Sequence, residues 1–187
     1  MAILRRRTAP NPAHLDRLFV LPSAASALTE KLGFRPTGTC SLCFRAIEER
    51  SFRDVQYDVV DWLDRDAEKT MPTETTEDSQ GFTWLIIHRP PDRFESLTAD
   101  LHGASLKFAN SGFGSQLLCT LVVFRDRGER QIVLIYLYKR GTFYPFAPRP
   151  EESRNTDLEL AVKDVIKEMW LEPDLGRWFP VWGAPGL

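Results

Sequence analysis

Long apolar runs are missing from this sequence, and so is any marked excess of one charge. No stretch of 18 residues is apolar enough to span a bilayer, so we expect no membrane-spanning helix. Residues 5–7 are basic, but no apolar segment follows them, which argues against a secretory signal. The net charge of −2 argues against a dedicated nucleic-acid binder. We therefore expect no nucleic-acid partner and at most peripheral contact with a membrane.

Cysteine and histidine are also scarce, with three of each. An odd number of cysteines favours free thiols in a reducing compartment, so we expect a cytoplasmic protein. Cys40 and Cys43 form a C-x-x-C, the spacing of redox pairs and half zinc sites, but the motif lies inside a predicted strand. Because side chains alternate along a strand, the two sulfurs are expected on opposite faces as free thiols.

Other catalytic patterns are absent from the sequence. His14, His88 and His102 are scattered, and no serine lies in a G-x-S-x-G. The G-x-G at residues 112–114 follows a predicted helix and enters a strand, so no helix N-terminus is available there to bind phosphate. We expect a protein that is not an enzyme and that holds no metal and no cofactor.

The length of 187 residues suits one domain that needs neither disulfides nor a metal to fold. Residues 1–13, with three arginines and two prolines, are expected to be a flexible arm, and residues 14–187 a single domain. Apolar spacing and helix-end signals predict helices over residues 14–32, 51–65, 93–110 and 156–170. The first helix is expected to be interrupted at Pro22, with Ser23 capping its second part. The expected caps of the other three are Ser51, Asp92, and Asn155 or Thr156. Strands are predicted over 37–47 and 81–88, with a loop or edge strand between 67 and 80.

Two further apolar runs, residues 117–124 and 132–138, flank a charged segment that contains Gly128. Their β-branched and aromatic residues predict an antiparallel hairpin. The second run is apolar on both sides, which is typical of a central strand covered on both faces. Long helices among hairpin-linked strands indicate an α+β fold, with an antiparallel sheet and helices packed mainly on one face.

Two aromatic segments remain without an obvious cover. One is the basic and aromatic stretch that follows the hairpin, residues 139–146, and the other is the tail, residues 171–187, which is rich in tryptophan and proline. Arginine and aromatic side chains are enriched at interface centres, and bulky aromatics are costly to leave in water. The tail has to pack on this domain, on a second copy or on a partner, and the two-faced strand offers it a place. The candidate partner-binding residues are Lys139, Arg140, Phe143, Tyr144, Phe146, Trp178, Phe179 and Trp182.

Several of these segments carry a resemblance to a known family. Residues 136–148 (YLYKRGTFYPFAP) and 172–187 (EPDLGRWFPVWGAPGL), with residues 15–25, 81–84 and 112–119, resemble the PspA-associated protein family PspAB of actinobacteria. Membership implies a cytoplasmic accessory protein encoded beside phage-shock protein A (PspA), often near an HtpX-type membrane protease. PspA itself polymerises on stressed inner membranes. The resemblance carries over no catalytic residue.

The order of elements also resembles the YbjN and type III secretion chaperone-like fold, an antiparallel sheet with helices on one side that is frequently dimeric. We therefore expect a non-catalytic adaptor in a PspA-type envelope stress response, which binds PspA or a sibling accessory protein. A homodimer is a further expectation. The alternatives are a chaperone-like dimer that holds an amphipathic client helix, and a metal or redox protein that uses Cys40, Cys43, Cys119 and a histidine.

Overall fold

A six-stranded antiparallel sheet forms the centre of the fold. The computed structural model describes residues 12–67, 69 and 71–187. The helices are α1 (Pro12–Leu15), α2 (Leu21–Leu32), α3 (Arg50–Asp64), α4 (Phe94–Asn110) and α5 (Thr156–Val165). The strands of the sheet are β1 (Arg35–Phe44), β2 (Glu74–Glu77), β3 (Thr83–His88), β4 (Leu117–Arg125), β5 (Gln131–Leu137) and β6 (Thr142–Phe146), in the spatial order β2-β3-β1-β4-β5-β6. A small ribbon of β7 (Pro148–Arg149) and β8 (Ser153–Arg154) precedes α5.

The helices pack on one face of this sheet, which we call the inner face. Alternate strand residues such as Leu42, Val122 and Leu134 point into the main core with the apolar stripes of the helices. On α3 that stripe contains the buried residues Phe52, Val59 and Leu63, as the 3-4 spacing predicts. The α+β prediction with helices mainly on one face is confirmed.

The predicted hairpin is formed by β4 and β5, paired from Cys119 with Leu137 to Arg125 with Gln131. Both faces of β5 are covered, since Leu134 and Tyr136 lie in the main core while Val133 and Ile135 lie in a second cluster. β5 is an interior strand, paired with β4 and β6, although it does not lie in the middle of the sheet. The aromatic stretch after the hairpin continues as β6, so β5 is next to the edge strand and β1 and β4 are central.

Helix ends differ from the sequence prediction more than helix cores do. Gly33 and Gly112 follow helix ends with φ of 76° and 86°, a conformation that suits glycine, and Asn155 caps α5 by accepting from the Leu158 N–H. The expected caps Ser23, Ser51 and Asp92 are not used: α2, α3 and α4 begin after Val20, Glu49 and Arg93, without a side-chain cap. Pro22 does not interrupt a helix, because it lies in the first turn of α2, where its missing N–H costs nothing. The last helix ends at Val165 rather than near Trp170.

Most of the predicted N-terminal arm lies outside the described residues. Only Pro12 and Ala13 of residues 1–13 are described, and both belong to α1. The division into an arm and a single domain over residues 14–187 therefore stays a prediction. The polar segment 67–80 contributes the edge strand β2, which pairs with β3.

Candidate functional site: the C-terminal tail on the outer face

The face of the sheet opposite the helices, the outer face, carries a second apolar cluster. Its strand residues come from five strands and alternate with those of the inner face. The buried members are Cys43, Trp84, Leu121, Val133, Ile135, Tyr144 and Phe146 from the strands, with Trp178 and Ala184 from the tail. Within the described residues no helix contributes to this cluster, so the tail supplies its cover.

The tail enters this face along the edge strand β6. Phe143 donates its N–H to the Trp170 carbonyl at 2.7 Å, and the Glu172 N–H donates to the Phe143 carbonyl at 2.7 Å. The Glu172 carboxylate is fully buried and accepts hydrogen bonds from Arg140 and from the Thr142 hydroxyl, the latter at 2.9 Å. A buried, hydrogen-bonded carboxylate thus fixes the start of the tail.

Trp178 is the main anchor of the tail. Its ring is buried and stacks on Tyr144, with the ring centroids 6.2 Å apart and the planes 23° apart. Its indole N–H donates to the Glu172 carbonyl at 3.1 Å, which satisfies the polar atom of the ring. Arg154, held by the buried Glu159 of α5, donates to the Trp178 carbonyl at 2.6 Å.

The tail then crosses the sheet from β6 to β1. The Tyr144 hydroxyl donates to the Phe179 carbonyl at 3.0 Å, and Trp182 meets Phe146 edge to face with centroids 4.8 Å apart. At the far end Ser41 of β1 donates to the Pro185 carbonyl at 2.7 Å. Contacts at both ends define the path, so the tail is a strap held at β6 and at β1.

The predicted partner residues are divided by this arrangement. Phe143 is buried in the main core, and Tyr144, Phe146 and Trp178 are buried in the second cluster, so the protein itself covers four of the eight. Arg140 is partly exposed but is used in the ion pair with Glu172. Trp182 is half-buried against Phe146.

Lys139 and Phe179, the other two predicted partner residues, are exposed as well. Phe179 is 59% exposed, and Leu175, one turn earlier, is 53% exposed. The turn at residues 174–179 therefore points Trp178 inward and Leu175 and Phe179 outward. Phe179 was predicted to bind a partner because it lies in an aromatic segment. No sequence feature predicted the same for Leu175.

The cysteines occupy both faces of the sheet. Cys40 lies in the main core and Cys43 in the second cluster, so their sulfurs diverge as expected from strand alternation. Cys43 is directly opposite Cys119 of β4, a pairing that neither cysteine's sequence neighbours reveal. Burial raises the pKa of the Cys40 thiol far above its usual value, which suits an inert core residue.

The histidines are engaged at separate places. His88 lies at the end of β3 between Thr39 and Glu74, and His102 of α4 contacts Asp16 and the ring of Phe19. Among residues 12–67, 69 and 71–187, no group of three or more His, Cys, Asp and Glu side chains is placed to hold a metal ion.

Glu172 makes the anchoring of the tail dependent on pH. Burial alone raises the pKa of this carboxyl, but hydrogen bonds from Arg140, Thr142 and the Asp174 N–H outweigh it and hold the pKa below its usual value. The carboxylate therefore adds stability above the unfolded-state pKa of about 4.3, and this contribution is lost as the pH falls through the lower folded-state pKa. We expect Glu172→Gln to lower the free energy of unfolding at pH 7 by about 1.5–3 kcal/mol.

Urea unfolding of the wild type and Glu172→Gln between pH 7 and pH 3 checks this expectation. The difference between the two proteins should be largest near neutrality and should shrink below a pH of about 4. Asp174→Asn, which changes an exposed carboxylate two residues further along the tail, is the matched control and should cost little. A Glu172→Gln difference that stays constant down to pH 3 would contradict the role given to the charge.

Of the helices that the structure describes, none has the length and hydropathy needed to cross a bilayer.

Comparisons with known proteins give one match. No curated protein and no solved structure matches the chain significantly, so the likeness to the YbjN and secretion-chaperone fold is not confirmed. The sequence model of the family described as PspA associated protein B matches residues 1–186. The match spans both the helical layer and the strap, and the chain is therefore a member of the PspAB family.

Proposed function

We propose that this protein is a non-catalytic accessory protein of a PspA-type envelope stress response, and that it acts in the cytoplasm by binding PspA. The family match carries the proposal, because the family's description links its members to PspA. We further propose that any contact with the membrane is peripheral and is made through that partner.

We place the partner surface at the outer turn, defined as residues 174–179. The two large apolar side chains of this turn are each more than half exposed, although the neighbouring Trp178 is buried. The buried Trp178 already holds the backbone of this turn in place. A partner that binds the two exposed side chains therefore does not have to order the turn. The turn between β5 and β6 adjoins this surface, since its Arg140 binds Glu172 two residues before the outer turn. Lys139 at that turn adds an exposed cation at the rim.

Binding of purified PspA from the same organism tests the proposal, with the dissociation constant measured by calorimetry. The wild-type protein should bind, and the double variant Leu175→Ala/Phe179→Ala should bind at least about tenfold more weakly, as expected for loss of two apolar contacts. Both substitutions keep the backbone carbonyl of Phe179 that Tyr144 needs, so the strap stays anchored.

Tyr57→Ala is the matched control for surface truncation. Tyr57 is 74% exposed and lies on α3, on the helical side of the sheet, so its loss should leave the affinity unchanged. A wild-type protein that does not bind PspA would refute the function. Binding that survives in the folded double variant would refute only the location at the outer turn.

A further inference from the structure

Cys43 and Cys119 lie in a geometry that suits a disulfide, although both are free thiols in this structure. They are direct partners across the antiparallel pair of β1 and β4. Directly opposed residues in such a pair have Cα atoms about 4.5 or 5.5 Å apart, and native disulfides span about 4.4–6.8 Å. Their side chains point to the same face, the outer one. Closing the bond therefore needs no exchange of strands and no change of register.

The local backbone is irregular at this pair. Cys43 pairs with Cys119, but the next residue, Phe44, pairs with Leu117, so Leu118 is an extra residue in β4. A bulge of this kind locally loosens a ladder and re-aims side chains. Adjustment of the two sulfur positions is therefore easier here than in the regular part of the same ladder, where Ser41 pairs with Leu121 and Leu42 with Thr120.

A cavity of about 530 Å³ gives outside molecules access to the pair. Cys43 and Cys119 form part of its wall, the turn around Asp78 forms another part, and residues 180–185 of the tail form the cover. Cys119 is half-buried, whereas Cys43 is buried. Cys119 is therefore the thiol that an entering reagent meets first.

We propose that Cys43 and Cys119 form a dithiol site that low-molecular-weight disulfides convert reversibly into a cross-strand disulfide. Cys119 loses its proton to water, and its sulfur attacks the reagent disulfide, forming a mixed disulfide and releasing one thiolate. The Cys43 sulfur then attacks Cys119 and displaces the second thiolate, while the Cys43 proton goes to solvent. Two protein thiols are oxidised, and one reagent disulfide is reduced to two thiols.

The order of the two steps follows from the surroundings of each thiol. The Cys119 thiol, as a hydrogen-bond partner, and burial raise the pKa of Cys43, which keeps Cys43 protonated while Cys119 is free. Once Cys119 is in a mixed disulfide, that partner is consumed and Cys43 is positioned to resolve it. The cavity wall does not include residues of the outer turn, so this site can be tested without PspA.

Reaction of the reduced, full-length protein with glutathione disulfide tests the site. Intact mass should show the loss of two hydrogen atoms, and peptide mapping should show Cys43 joined to Cys119. Reduction with dithiothreitol should restore both thiols. Before oxidation, a brief pulse of iodoacetamide should label Cys119 at least about tenfold faster than Cys40 or Cys43, because Cys119 is the most exposed of the three thiols.

Three variants distinguish this pair from chance oxidation. Cys43→Ser should accumulate a stable glutathione adduct at Cys119, whereas Cys119→Ser should give neither an adduct nor a disulfide under native conditions. Cys40→Ser, which changes a thiol on the opposite face, should oxidise as the wild type does. A wild-type protein that forms no internal disulfide, or one that pairs through Cys40, would overturn the proposal. The wild-type result stands even if a variant fails to fold.

Discussion

A chain that ends at Arg177 is expected to lose its cooperative fold or to associate through the uncovered sheet. Removing residues 178–187 takes Trp178, Trp182 and Ala184 off the outer face and leaves an apolar surface that includes Leu121, Val133, Ile135, Tyr144 and Phe146 in contact with water. Loss of a buried tryptophan side chain alone costs about 3–5 kcal/mol, and whole domains are stable by about 5–15 kcal/mol. Light scattering after size-exclusion chromatography and a thermal melt followed by circular dichroism would measure both effects.

The double variant Leu175→Ala/Phe179→Ala is the matched control for this truncation. It removes exposed side chains of the same tail but leaves the cover of the outer face in place, so its oligomeric state and melting behaviour should match the wild type. A truncated chain that melts cooperatively and runs as the wild type does would show that the strap is dispensable for folding. If the truncated chain aggregates as expected, a loss of PspA binding by that chain cannot be assigned to the loss of one contact. Point substitutions at the outer turn are therefore the sharper test of PspA binding.

The sequence of β5 by itself predicts that the sheet has a second apolar face. A strand with Ile132, Leu134 and Tyr136 on one side and Val133 and Ile135 on the other has no polar face, so both faces need a cover. The amphipathic helices account for one face, and the tail, with its prolines and tryptophans, is the remaining apolar segment without a helical pattern. Periodicity and composition thus predict the two layers, because each depends on the residue types within one segment.

The strand pairing of the sheet could not be predicted in the same way. β6 contains Pro145 and follows a glycine, features that resemble a loop locally, and it is a strand because β5 offers it a ladder. The pairing of Cys43 with Cys119 depends on the register between strands that are more than 70 residues apart in the sequence. The sequence predicted that Arg140 binds another protein, because the residue with which it forms an ion pair, Glu172, lies 32 residues away in the sequence. Each of these features is set by tertiary contacts that no local pattern encodes.

Arg89→Met is expected to lower the free energy of unfolding by about 3–5 kcal/mol, the usual cost of breaking a buried ion pair. Arg89 is buried at the end of β3, and its Nε and Nη2 donate to the Asp100 carboxylate of α4 at 2.7 and 3.0 Å. Nη2 also lies 2.9 Å from Asp66, in the segment after α3. The guanidinium thus ties α4 and the segment after α3 to the sheet, and its removal leaves the nearly buried Asp100 carboxylate without its cation. Urea unfolding at pH 7 would measure the loss.

Arg65→Met provides the contrast, because Arg65 pairs with Asp61 on the exposed side of α3, where an ion pair contributes at most about 1 kcal/mol. A second test uses the double variant Arg89→Met/Asp100→Asn, in which the stranded charge is gone. Its loss should be clearly smaller than the two single losses added together, since the two residues form one interaction. Equal losses for Arg89→Met and Arg65→Met would show that burial does not set the cost of this pair. Additive losses in the double variant would show instead that Arg89 acts through its packing and not through Asp100.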